Sequence, residues 1–256
     1  EEFCVLFLED VRNMQARTRQ EKLAAMGRVS AGIAHEIRNP LAAIAQANAL
    51  LSEDARAPQQ QQLTKMVSDN VDRLKRIIDD VMAAAPSLAD DVPALDAVAQ
   101  IKATCTEWTS AAGVSFAENG PLTLTLPDAP LGVVFDAEHL RRVLVNLLDN
   151  AKRHASSAPG AIEVRLDSRD ETRVFLCVSS DGPRIPPDVE RYLFEPFFST
   201  RSRGTGLGLY ICRELCERYG ANVDYRLRQS PAGERNEFFV AMRRRALTPH
   251  DARTAA

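Results

Sequence analysis

Residues 34–41 read AHEIRNPL, and residues 194–209 read FEPFFSTRSRGTGLGL. The imidazole of His35 is a good nucleophile near neutral pH, and Glu36 beside it can hold its other ring nitrogen or take its proton. Asn39 continues the same helical turn, four residues on. Gly204, Gly206 and Gly208 make a turn that opens a new helix, where backbone N–H groups gather and anions bind. A histidine acceptor upstream and a phosphate-holding turn far downstream point together to phosphoryl transfer between two domains.

Two further runs fit that chemistry. Residues 146–155 read NLLDNAKRHA. Asn146 and Asn150 share one helical face, and two amides at that spacing can hold phosphate oxygens and a cation such as Mg²⁺, which prefers oxygen ligands. Lys152, Arg153 and His154 follow as phosphate contacts. The plainer alternative is an amphipathic helix with solvated asparagines, although Asn is a mediocre helix former. Residues 180–186 read SDGPRIP after a predicted strand. A carboxylate there can accept from an adenine amino group, and Gly182 lets a base lie against the backbone. The alternative is a plain Asp-Gly-Pro turn. Phe194 and Phe197 either anchor a lid whose polar loop, with Thr200, closes over phosphates, or belong to an aromatic core.

The elements that must position these groups follow from periodicity. Apolar residues from Leu23 to Leu51 predict a long helix over 12–52, bent at Pro40. A polar turn at 53–61 precedes a second helix over 62–85. The two form a hairpin with a wide apolar stripe and no other core, which predicts pairing with a second copy into a four-helix bundle. Residues 86–94 read as a linker. Beyond it the pattern is α+β: helices over 95–112, 137–155 and 206–219, and strands over 122–126, 161–168, 172–179, 222–228 and 236–243, with an irregular segment over 180–203. Residues 3–9 read as a strand ending an upstream domain, and the final residues as a disordered tail.

Bulk properties narrow the classes. The 256 residues are 45% hydrophobic and 26% charged, as in soluble globular proteins, and the net charge of −3 gives no reason to expect a nucleic-acid partner. No apolar run approaches the ~18 residues of a membrane span. A chain opening Glu1-Glu2, without Met or a signal-peptide pattern, reads as part of something longer. The five cysteines, an odd number without zinc-ribbon spacing, read as small core residues; Cys212 and Cys216 share a helical face.

The four motifs in this order resemble the sensor histidine kinases of bacterial two-component systems, over roughly residues 20–243. HEIRNPL is similar to the phosphoacceptor H-box, NLLDNAKRHA to the N-box, SDGPRIP to the G1 box, and FEPFF with GTGLGL to the F- and G2-boxes. The nitrogen-regulation type, and within it the type IV pilus sensors, is the nearest likeness. The resemblance implies a dimerising phosphoacceptor hairpin (12–88) followed by a Bergerat-type α/β sandwich that binds ATP (93–245). Residues 1–11 would end a PAS-like sensory domain, and 246–256 would be a tail. It implies that His35 receives the γ-phosphoryl of ATP with Glu36 assisting, and that Asn150 holds Mg²⁺ with Asn146 nearby. Arg153, Thr200, Gly204, Thr205, Gly206, Leu207 and Gly208 would surround the phosphates, and Ser180, Asp181 and Gly182 the adenine. Asn39 matches the position that orients water in kinases that also dephosphorylate their partner. The partners implied are a second copy and a response-regulator receiver domain. The piece would be the cytoplasmic portion of an inner-membrane sensor, attached only through an upstream segment. A gyrase- or Hsp90-like ATPase shares the sandwich but needs no phosphoacceptor histidine. One departure stands out: the G1 box usually reads Asp-X-Gly-X-Gly, and here Ser180 and Arg184 replace the Asp and the second Gly. A local bulge turning Asp181 inward would restore a carboxylate; without it, nucleotide binding is weakened and a pseudokinase or phosphatase-type dimer becomes the alternative.

Overall fold

The computed structural model describes residues 37–53, 57–83, 92–114, 120–168, 170–199, 206–231 and 233–247. The predicted strand over 3–9 and the His35–Glu36 pair lie outside them. The chain divides into two units, Glu1–Pro86 with Glu195–Leu207, and Ser87–Phe194 with Gly208–Ala256.

Residues 37–53 (α1) and Pro58–Ala83 (α2) form the hairpin. Leu41, Val71 and Ile78 are buried in its seam with Ala45 beside them. Next along the seam, the buried Asn48 donates from Nδ2 to Thr64 O at 2.8 Å, which gives the antiparallel register a polar pin. α2 begins four residues before the predicted start. Proline suits a first helical turn, and the amide ahead of it, on Ala57, bonds Gln60 Oε1 at 3.3 Å in the manner of a capping box. The rest of the apolar stripe is bare: Ile44, Leu50, Leu51, Leu63, Met66 and Leu74 are all exposed.

The second unit is a two-layer sandwich. Ala94–Asp96 (β1) leads into Ala97–Ala112 (α3), whose first turn Asp96 caps by accepting from Val98 N at 3.0 Å. Leu122–Thr125 (β2), Gly132–Val134 (β3), Ala137–His154 (α4), Ile162–Asp167 (β4), Arg173–Ser180 (β5), Pro187–Glu190 (α5), Gly208–Arg218 (α6), Asn222–Ser230 (β6) and Gly233–Arg243 (β7) follow. β3 pairs with β1, while the main sheet runs β2-β4-β5-β7-β6, antiparallel except where β2 meets β4. Alternation decides the faces. Val174, Leu176 and Val178 of β5 and Phe238, Val240 and Met242 of β7 are buried on the face of the sheet that α4 and α6 cover. The other face is closed by charge: Glu237, 1% exposed, is held by Arg226, Arg165 and Arg228, as a buried carboxylate requires.

Cys105, Cys177, Cys212 and Cys216 are buried thiols, and none of them is in a disulfide among the described residues. Burial pushes the Cys105 thiol up to about 12 and that of Cys216 well above the ordinary range, so both are inert packing groups. The segment after β7 packs back on β3. Arg244 bridges Val133, Arg245 N donates to Gly132 O at 2.9 Å, and Leu247 lies beside Gly132.

Candidate functional site

α4 carries the site. Asp136 caps its N-terminus by accepting from His139 N at 3.0 Å, and Leu140, Val143, Leu144, Leu147, Leu148 and Ala151 face the core. That leaves one half-exposed stripe at i, i+4 and i+7: Asn146, Asn150 and Arg153. Asn146 Nδ2 is buried and has no hydrogen-bond partner among the described residues. Its Oδ1 lies 3.6 Å from where a Cβ on Gly208 would stand, so the amide sits against the first residue of α6. The first turn of α6 has no acidic residue, and its N–H groups are those a helix leaves unpaired. An orphaned buried amide costs about 1–3 kcal/mol. Phosphate oxygens would accept from both the amide N–H and the helix end, and the amide oxygens of the same stripe are of the type that Mg²⁺ takes, so these residues fit a Mg²⁺-bound phosphate ligand.

The other pole lies at the end of the same stripe. A Cβ on Gly182 would stand 2.5 Å from His154 O, so the turn after β5 lies directly against the last residue of α4. Glycine is needed here for close approach alone, since its φ is not positive. From Asn146 to His154 is about 12 Å along the helix, which separates the two poles.

The adenine-side carboxylate takes a different role from the one expected. Ser180 pairs in unbroken register with Ile162 on one side and Asn236 on the other, so there is no bulge. Ser180 is buried on the helix-facing side with Val178. Asp181 bonds the loop after α4, accepting from Ser156 N at 2.9 Å and from Ser156 Oγ at 2.5 Å. Burial tends to raise its pKa, but the Ser156 bonds and the Arg235 charge outweigh that and hold it below the usual carboxylate range. Asp181 is thus spent on the protein's own backbone, and the hydroxyl of Ser180 is what faces inward.

Other expected contacts separate. Lys152 is not on the phosphate side: its Nζ donates to Ala112 O at 2.6 Å, at the end of α3, and stands over the Trp108 ring. Arg153 remains exposed on α4. Gly206 has φ 68°, and a Cβ on it would stand 2.5 Å from Phe197 C and 2.7 Å from Phe198 N, so the glycine serves a turn folded onto the FEPFF backbone. The aromatics divide, with Phe194 packing edge-on to Phe238 at 6.3 Å while Phe197 is 58% exposed with φ 62°. Leu207 is buried, and Asn39 is exposed on α1. Thr200, Gly204 and Thr205, like His35 and Glu36, lie outside the described residues. Sequence reasoning missed Ser156 and Asn236. The second had a signal: a polar residue at an inward position of the alternating strand NEFFVAM.

Comparison with known proteins gives the same two-part organisation. Residues 25–86 match the His Kinase A (phospho-acceptor) domain, and residues 135–245 match the histidine kinase-, DNA gyrase B-, and HSP90-like ATPase family. The chain is 37% identical to the sensor protein kinase PilS of Pseudomonas aeruginosa over 238 residues, covering 91% of this chain and 44% of that protein. It is 28% identical to the sensory histidine kinase/phosphatase NtrB of Salmonella typhimurium over 243 residues, covering 88% and 66%. The solved structure of full-length ShkA in complex with AMPPNP shares the fold, with a TM-score of 0.67 at 22% identity over 87% of this chain and 47% of that one. The chain therefore spans less than half the length of PilS and about two thirds of NtrB.

Proposed function

The chain belongs to the sensor histidine kinases, and from that premise we propose that it is the transmitter core, taking the γ-phosphoryl of ATP onto His35 and passing it to an aspartate of a response-regulator receiver domain. The observation that carries the reading is the unpartnered Asn146 amide beside the N-terminus of α6, at the phosphate end of a stripe whose other end meets the Gly182 turn. Mg²⁺ bound with ATP would neutralise charge developing on the transferred group. Asn150 is its ligand in this reading, with Asn146 alongside and Arg153 facing the phosphates from the next turn. In this reading Thr200, Gly204, Thr205, Gly206, Leu207 and Gly208 supply further phosphate contacts. In the transfer an N–P bond forms at His35, the bond to ADP breaks, and Glu36 receives the ring proton.

Asn39, four residues after His35 in the sequence, orients a water for the reverse task, hydrolysis of the regulator's phospho-aspartate. NtrB carries both activities in its name. The exposed leucines of α1 and α2 fit a four-helix bundle made with a second copy. No helix among the described residues is long and apolar enough to cross a membrane; attachment, in this reading, comes from an upstream segment, which places this core on the cytoplasmic side of an inner-membrane sensor.

The test is labelling by γ-labelled ATP with Mg²⁺. The wild-type chain takes up label and His35→Gln takes up none; persistent absence of label on the wild type, even with its upstream segment restored, would sink the proposal. A second reading is favoured by one observation, the unbroken ladder at Ser180 with Asp181 bonded to Ser156. It is a dimer with weakened nucleotide binding that works chiefly as a phosphatase. Normal autophosphorylation removes it.

A further inference from the structure

The turn over residues 181–186 makes few bonds of its own, and its shape comes from a side chain on another strand. Asn236 lies on β7 opposite Ser180, on the inward side with Phe238, Val240 and Met242, and is 4% exposed. An amide in such surroundings is costly unless its groups are bonded. Here Nδ2 donates to Gly182 O at 2.9 Å and to Pro183 O at 3.0 Å, while Oδ1 accepts from Ile185 N at 3.3 Å and from the Tyr225 hydroxyl at 2.9 Å. Three of the four bonds fall on three residues of the one turn. Among the described residues, no backbone–backbone hydrogen bond reaches Gly182, Pro183 or Ile185. The sheet does not need this amide, because the ladder at position 236 is formed by the backbone and a β-branched residue would fit it. What needs the amide is the turn.

From these bonds we infer that Asn236 is a positioning residue for the nucleotide site. It fixes the backbone of residues 182–185 against the end of α4 in the shape that receives the base, without touching the nucleotide. The inference rests on the phosphotransfer reading. A turn held this way is formed before the ligand arrives, so its ordering is not charged to binding. The neighbours show the same design: Tyr225 orients the Asn236 oxygen from β6, and Asp181 ties the start of the turn to Ser156.

The experiment uses the full chain with Asn236→Ala, Asn236→Asp and, as a stability control on the same strand face, Val240→Ala. Three quantities are read: melting temperature, displacement of trinitrophenyl-ATP by Mg·ATP, and the rate of His35 labelling against ATP concentration. Asn236→Asp keeps the acceptor oxygen but puts a second oxygen in place of both donors to the turn. Both Asn236 variants should raise the Kd and KM for Mg·ATP about tenfold, with the rate at saturating ATP within about twofold of wild type. Val240→Ala should lower the melting temperature at least as far and leave Kd unchanged. Unchanged affinity in the Asn236 variants overturns the inference, and so does an affinity loss in Val240→Ala that matches its loss of stability. A wild-type chain that neither displaces the probe nor labels overturns the phosphotransfer reading itself, and is told apart because it fails before any substitution is made.

Discussion

A hydroxyl and a carboxylate are not equivalent acceptors, and at the residue scale that difference decides how tightly this site holds a nucleotide. Ser180 points inward from an unbroken ladder, while the only nearby carboxylate in the motif, Asp181, is occupied by Ser156. A hydrogen bond to a charged acceptor contributes about 1.5–3 kcal/mol, and a neutral one about half that. Ser180→Asp should therefore lower the Kd for Mg·ATP about tenfold, measured by displacement of a fluorescent nucleotide. An unchanged or raised Kd would mean that the base is read elsewhere, or that a second carboxylate beside Asp181 is not tolerated ionised. The residue scale was also where the sequence was read best and worst. The spacing of Asn146 and Asn150 put them on one stripe because a helix fixes which residues share a face. The same rule could not place Lys152, whose partner is the end of a different helix, or the Asp181 side chain, whose partner lies in a loop.

At the scale of elements, the contact that matters is between α4 and the turn after β5, and glycine makes it feasible. A Cβ at position 182 would meet the carbonyl of His154 at 2.5 Å, a backbone group that cannot rotate away. Gly182→Ala should destabilise the ATP-binding unit by about 1–3 kcal/mol, the usual cost of overpacking, and shift the turn off α4. Thermal unfolding checks the first effect, and Mg·ATP affinity, expected to fall, checks the second. Long elements were legible because they carry a period. The strands predicted over 161–168 and 172–179 fall within two residues of β4 and β5 at each end, and the helix over 137–155 within one residue of α4. The three-residue strands β1 and β3 and the four-residue helix α5 contain too few side chains to show a period, so the first merged into a predicted helix and the last into an irregular segment. The pairing of Arg244 with Val133 was hidden for another reason: an edge added by a single bridging residue is set by the backbone of β3 and leaves no pattern in the residues that add it.

For the whole molecule, the hairpin and the nucleotide site have opposite needs. Leu50 and Leu51 are 60% and 64% exposed, and Leu63, Met66 and Leu74 are also bare. Five large apolar side chains on one hairpin form a larger patch than a soluble monomer tolerates, and a matching hairpin is the simplest cover. Replacing two of them by charge, Leu63→Glu with Leu74→Glu, puts unpaired carboxylates into that interface. The wild-type chain should then scatter light as twice its 28.2 kDa, and the double variant as a single copy at the same micromolar concentration. The nucleotide site should not notice. Asn146, Asn150, Gly182, Gly208 and Asn236 all belong to one unit of one chain, so Mg·ATP affinity should stay within about twofold in the monomer. His35 labelling then becomes informative. If it persists at the wild-type rate and does not depend on protein concentration, each copy phosphorylates itself. If it disappears while affinity is kept, the ATP bound by one copy serves the histidine of the other. A fall in affinity on monomerisation would mean that the second copy contributes a residue to the nucleotide site.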